Sequence, residues 1–262
     1  TLAIWLTIIA TLIGAFLVLR GDSSLITPII YTTLAGLFLG YFYTAPPLRL
    51  VAKRGLGELS IFLAFGPLLT IGTGLAIFAG NFTDFVENEH FFNCLLLGLP
   101  MGLLTTNILL INEFPDMKSD KTTGKNHLVV TFGKKNARLG YLFILSAAFI
   151  SSILLIPYLE NNISSFNKNI FIIGNIVLFA YGLIAFINLY KNYDKRELIH
   201  SNLKTIYLQI FYGLFAKTNL YFFQNMVILV LIHQTLISYL KMELYIKIAI
   251  HHHLFVLQAE AD

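Results

Sequence analysis

Three oxygen-bearing side chains, Asn112, Asp116 and Asp120, recur every four residues along one stretch of the chain. On a helix that spacing stacks them on a single face. Two carboxylates one turn apart suit Mg²⁺, which takes few protein carboxylates and completes its octahedron with water and phosphate oxygens. Lys121 and Lys125 follow within reach of the same phosphate. The same spacing also describes a solvated acidic helix end with i,i+4 ion pairs. Pro115 interrupts the backbone ladder here and would open a separate helix as its first residue.

A second group lies upstream. Pro46 and Pro47 end an apolar run, and Arg49, Lys53 and Arg54 follow at once. Cations placed beside a metal-bound diphosphate would neutralise it as a leaving group. Basic residues after an apolar run also serve as plain membrane anchors.

The elements that must position these groups are set by composition. The chain has 262 residues, of which 56% are hydrophobic and only 12% charged, with mean hydropathy +0.73. A soluble domain carries roughly 25% charged residues. A water-soluble enzyme and a disordered chain are both excluded, and lipid is the solvent this sequence fits. Seven apolar runs, near 2–19, 25–44, 59–79, 92–112, 138–158, 169–190 and 205–223, have the length to cross about 30 Å of hydrocarbon. Each should be a helix, since a lipid-exposed backbone must satisfy its own hydrogen bonds. The expected fold is therefore an all-α, polytopic transmembrane bundle. Residues 224–262 form an unassigned tail, either a further span or an interfacial helix. Cys94 is the lone cysteine and cannot form an internal disulfide.

The loops after runs two, four and six hold nearly all the basic residues: Arg49, Lys53 and Arg54, then Lys118 to Arg138, then Lys191 to Lys204. The loops after runs one, three and five hold only Arg20 and Lys168. This alternation is a positive-inside pattern that places both candidate groups at the cytoplasmic face. It also accounts for the net charge of +4 without any nucleic-acid partner.

Taken together, Tyr43-Thr-Ala-Pro-Pro-Leu-Arg-Leu50, Arg54-Gly-Leu-Gly-Glu58 and the Asn112/Asp116/Asp120/Gly124-Lys125 series resemble the UbiA superfamily of intramembrane aromatic prenyltransferases. The run Gly124 to Gly133 resembles its menaquinone branch, 1,4-dihydroxy-2-naphthoate polyprenyltransferase, whereas Glu113 and Pro115 depart from that branch's common form. The likeness covers about residues 1–223. It implies a fold of nine transmembrane helices around a central cavity, with two aspartate-rich motifs binding Mg²⁺–diphosphate. Asn112, Asp116 and Asp120 match the second motif. The first would close a helix ahead of run one, so the chain is read as lacking two N-terminal helices.

The resemblance further implies a polyprenyl diphosphate donor, an aromatic acceptor and a site at the cytoplasmic face of a bacterial inner membrane. Asp116, Asp120 and Asn112 would be the metal and catalytic residues. Lys121, Lys125, Arg49, Lys53 and Arg54 would clamp the diphosphate, and Tyr43 would line the substrate cavity. Within the superfamily the acceptor could instead be 4-hydroxybenzoate, homogentisate, a chlorophyllide or haem. Outside it, the rival classes are a non-catalytic membrane scaffold, which would not need aspartates spaced for a metal, and a transporter. Transporters place charges at mid-membrane and show inverted repeats, neither of which is visible here.

Overall fold

In the computed structural model the described residues are 21–156, 165–195 and 197–219, together with six scattered positions before residue 21. Run one and the tail 224–262 lie outside the described residues. Every described element is helical: α1 (Ser23–Thr44), α2 (Leu56–Ile77), α3 (Phe82–Glu87), α4 (His90–Thr122), α5 (Leu128–Phe132), α6 (Lys134–Ile153), α7 (Ser165–Asn192) and α8 (Leu198–Asn219). A short 3₁₀ turn, Leu50–Ala52, lies between α1 and α2. Among the described residues, five helices are long and apolar enough to cross a membrane, namely α1, α2, α4, α6 and α7 from Lys168. They coincide with runs two to six.

α4 is the axis of the bundle. Of its most apolar stretch 72% is buried in protein, against 11% for α1 and 22% for α7. The outer helices instead expose large apolar side chains, such as Leu34 and Phe38 on α1 and Ile173 and Val177 on α7. In a chain this apolar, those faces meet lipid. Where α2 crosses α4 the helices nearly touch. A Cβ on Gly66 would fall 2.5 Å from the Gly98 carbonyl oxygen and 2.9 Å from the Gly102 Cα. Small residues four apart permit this approach. Pro67, which has no N–H to continue the ladder, sits in a π turn, Ala64–Leu68, at the same level.

Two expectations change. α4 does not stop near residue 112 but continues to Thr122, and Pro115 lies inside it rather than opening a new helix. Proline removes one backbone hydrogen bond. Here Pro115 is exposed on α4, and the helix runs on past the missing bond. Run seven also begins earlier, as α8 from Leu198, and falls outside the five apolar helices because one face is polar.

That face is buried. Asn202 Nδ2 donates to Asn112 Oδ1 at 3.0 Å, and Gln209 Nε2 donates to Thr105 Oγ1 at 2.7 Å, both across to α4. Toward α6, the Thr205 and Tyr141 hydroxyls meet at 2.7 Å, and the Tyr212 hydroxyl donates to Ser152 Oγ at 2.7 Å. Polar bonds of this kind hold helices together where lipid removes the hydrophobic drive.

Candidate active site

The C-terminal turns of α4 carry Asn112, Asp116 and Asp120 along one side of a continuous helix. Asp116 is exposed, and its carboxylate makes no ion pair among the described residues. Asp120 is engaged: Lys125 Nζ donates to its Oδ1 at 2.7 Å, and His127 Nε2 lies 3.3 Å from its Oδ2. The Asn112 oxygen takes the bond from Asn202.

The chain then turns at Gly124, whose φ of +75° favours glycine, and runs back along the bundle. Two backbone N–H groups tie this return segment to the approach and first turn of α2. The Asn126 N–H donates to the Ala52 carbonyl at 3.0 Å, and the Leu128 N–H donates to Glu58 Oε1 at 2.7 Å. Ala52 directly precedes Lys53 and Arg54, so the basic loop and the acidic helix end are pinned at one end of the bundle. Arg49, Lys53, Arg54 and Lys121 are exposed. Arg49 has φ of +41°, a strained value for a non-glycine residue. Tyr43, at the end of α1, is half-buried, and the charges acting on its phenol are those of Glu113, Glu58 and Asp120.

Beneath these side chains lies a group that spacing along the chain did not single out. Glu58, Glu113 and His127 are all buried. His127 Nδ1 lies 3.1 Å from Glu113 Oε2. The Val130 N–H donates to the same nitrogen at 3.4 Å, so the imidazole also caps the start of α5. Neither carboxylate contact of His127 is a hydrogen bond, and Glu113 Oε2 and His127 Nε2 are buried at ion-pair distance only. Burial alone would push the His127 imidazole down. The short contact with Glu113 and the charges of Glu113, Asp120 and Glu58 outweigh it and hold its pKa above the usual histidine value.

The donor set can be tested against Mg²⁺. Among the described residues, no group of three His, Cys, Asp or Glu side chains is arranged to hold a metal by itself. The available donors are the open carboxylate of Asp116 and that of Asp120, whose Oδ1 is shared with a half-exposed lysine. Mg²⁺ is commonly bound by one or two carboxylates and completed by substrate phosphates. The residues fit a metal that arrives with a phosphorylated ligand and do not fit a closed protein cage.

An apolar helical bundle with paired acidic and basic groups at one end defines a polytopic membrane protein with a polar site at its rim. The chain belongs to the UbiA prenyltransferase family, which matches residues 1–205. It is 28% identical over 180 residues to UbiA prenyltransferase domain-containing protein 1 of Dictyostelium discoideum, covering 68% of this chain and 47% of that protein. It is 34% identical over 99 residues to 2-carboxy-1,4-naphthoquinone phytyltransferase of Synechocystis sp., covering 38% and 29%. Over 97 residues it is 32% identical to 1,4-dihydroxy-2-naphthoate octaprenyltransferase of Escherichia coli, covering 37% and 28%. The chain thus spans less than half the length of each of these relatives. No solved structure matches it.

Proposed function

We propose that the protein transfers a polyprenyl group from an allylic diphosphate to an aromatic acceptor, 1,4-dihydroxy-2-naphthoate, with residues 1–223 as the transferase domain and its site at the cytoplasmic face. The observation that carries the reading is the pinning of the basic loop to the acidic helix end through Ala52–Asn126 and Glu58–Leu128. The names of the Synechocystis and Escherichia coli relatives, both acting on naphthalene-ring substrates, support the choice of acceptor.

Asp116 and Asp120 would hold Mg²⁺, with Asn112 as a ligand or orienter. When bound, the metal supplies positive charge that stabilises diphosphate as a leaving group. Lys121, Lys125, Arg49, Lys53 and Arg54 add fixed charge around the same oxygens. The apolar walls of the bundle exclude water, which would otherwise capture the allylic carbon. Tyr43 sits beside this end and presents a ring that favours a neighbouring cation. The allylic C–O bond breaks with its electron pair leaving on diphosphate. A ring carbon of the acceptor forms the new C–C bond, and the acceptor's carboxylate departs as CO₂, returning its electron pair to the ring.

The test uses membranes containing the full-length protein with Mg²⁺ and a polyprenyl diphosphate. Separate reactions supply 1,4-dihydroxy-2-naphthoate, 4-hydroxybenzoate or homogentisate. Prenylated naphthalene product with CO₂ release is expected. Prenylation of either benzenoid with the naphthoate untouched overturns the acceptor assignment. No transfer to any of the three overturns the proposed reaction.

A further inference from the structure

We propose that His127 is a positioning residue for Asp120, fixing one carboxylate oxygen so that the other is presented to the metal–diphosphate. This rests on the reading of Asp120 as part of that site. The argument starts from how differently the two oxygens of Asp120 are held. Oδ1 is met by Lys125, whose side chain is 36% exposed and ends on a flexible stem. Oδ2 faces His127, whose side chain is only 2% exposed. Lys125 can swing from Oδ1 to an arriving phosphate. His127 cannot follow, because the chain around it is anchored on three sides.

The first anchor is Glu113, 3.1 Å from the other ring nitrogen and itself buried. The second is the Asn126 N–H on the Ala52 carbonyl. The third is the Leu128 N–H on Glu58. Glu113 projects from α4 two turns before Asp120, and Glu58 comes from the first turn of α2. His127 therefore transmits the position of two rigid helices to one functional carboxylate. Outer partners of this kind orient metal-binding side chains, and their loss typically costs 10- to 100-fold in affinity. A buried ion pair is a weak source of stability, since desolvation offsets most of its attraction. A positioning role gives this buried imidazole a use that net stability does not supply.

Two substitutions separate positioning from support. His127→Asn retains a nitrogen donor close to the ring position that faces Glu113 but cannot reach Asp120. His127→Gln extends a donor toward Asp120. The full-length protein in detergent is titrated with Mn²⁺ in the presence of inorganic diphosphate, and bound Mn²⁺ is read by electron paramagnetic resonance. His127→Asn is expected to weaken Mn²⁺–diphosphate binding about tenfold or more. His127→Gln should recover a large part of that loss, and KM for the prenyl diphosphate should move with the binding constant. Asp120→Asn runs in parallel, as does the double variant with His127→Asn.

If the residues act as a unit, the double variant binds no worse than Asp120→Asn alone. Full additivity overturns the inference, as does equal behaviour of the Asn and Gln variants. Hydrogen exchange across residues 125–130 without metal or diphosphate shows whether the segment stays folded. If Asn alone loosens it, His127→Leu, which fills the space with no nitrogen, takes its place, and parental Mn²⁺–diphosphate binding in a folded His127→Leu protein rejects positioning. If Asp120→Asn itself leaves Mn²⁺–diphosphate binding unchanged, the site reading fails rather than the role of His127.

Discussion

Glu58 offers the most direct measurement of how the two loops are joined. Its Oε1 accepts the Leu128 N–H at 2.7 Å, while Oε2 is buried without a hydrogen-bond partner. A hydrogen bond to a charged group contributes about 1.5–3 kcal/mol net, and a buried donor left alone costs about 1–3 kcal/mol. Leu128 is half-buried, which lowers the second figure. Glu58→Ala should therefore raise the free energy of the segment by about 2 kcal/mol, an increase of about 30-fold in local opening. Glu58→Gln keeps an acceptor at Oε1 and loses only the charge. Charge-assisted bonds are roughly twice as strong as neutral ones, so that loss is about 1 kcal/mol, or about fivefold.

The assay is amide hydrogen exchange in detergent or nanodiscs, read on peptides covering residues 125–132, with peptides from the middle of α4 as the internal control. Faster exchange confined to the segment, in the order Ala above Gln above parent, is expected. Exchange in Glu58→Ala within twofold of the parent would refute the argument. So would equal effects of Ala and Gln, because the charge would then contribute nothing.

Other consequences can be checked independently. Gly66→Ala drives a Cβ into backbone atoms 2.5 Å and 2.9 Å away, so the helices must part, at a cost of about 1–3 kcal/mol; unfolding in a denaturing-detergent series should shift accordingly, and an unchanged midpoint would mean that α2 and α4 do not cross there. Asp116→Asn or Asp120→Asn in the full-length protein should abolish prenyl transfer while leaving membrane insertion intact; parental turnover in both would mean that the carboxylates are only a solvated helix end. Because no protein cage is present among the described residues, calorimetry should show weak Mg²⁺ binding alone and much tighter binding with inorganic diphosphate; equal affinities would contradict an open, substrate-completed site. Cysteines introduced at 53 and 125 should be protected from an impermeant reagent added outside intact cells, whereas one at 86 should react; labelling at 125 from outside would invert the assigned orientation.

Hydropathy located the five apolar helices because membrane spans carry a long-range signal that needs no partner. It ended run four at Asn112, where charged residues begin, yet α4 runs ten residues further to Thr122. A hydropathy run stops where lipid-compatible residues stop, but a helix stops where its backbone does. Pro115 reinforced the early ending, since proline is read as a boundary when nothing is known of what packs around it. α8 shows the converse. Its polar side chains lower its hydropathy, and only the positions of Asn112, Thr105, Tyr141 and Ser152 on other helices show that they are spent on interhelical bonds.

The candidate site divides in the same way. Asn112, Asp116 and Asp120 were legible because one helix carries all three and the period is local. Charge alternation placed Arg49, Lys53, Arg54 and Lys125 at a common end without saying which would touch an acid. The structure puts Lys125 on Asp120 and leaves the other three exposed. Glu58, Glu113 and His127 were not legible as a group, for their spacing along the chain follows no helical period. Glu58 enters the sequence reading as the end of the Arg54-Gly-Leu-Gly-Glu58 motif, Glu113 as a departure from the menaquinone branch, and His127 only as one position in the run Gly124 to Gly133. Their meeting depends on α2 lying close against α4, which Gly66, Gly98 and Gly102 allow. Gly66 lies about two turns along α2 from Glu58, and Gly102 about three turns along α4 from Glu113. The geometry of this rim is thus set partly by the absence of side chains in the middle of the bundle, so a bulky substitution at Gly102 should displace Glu58 from Leu128 without touching either residue.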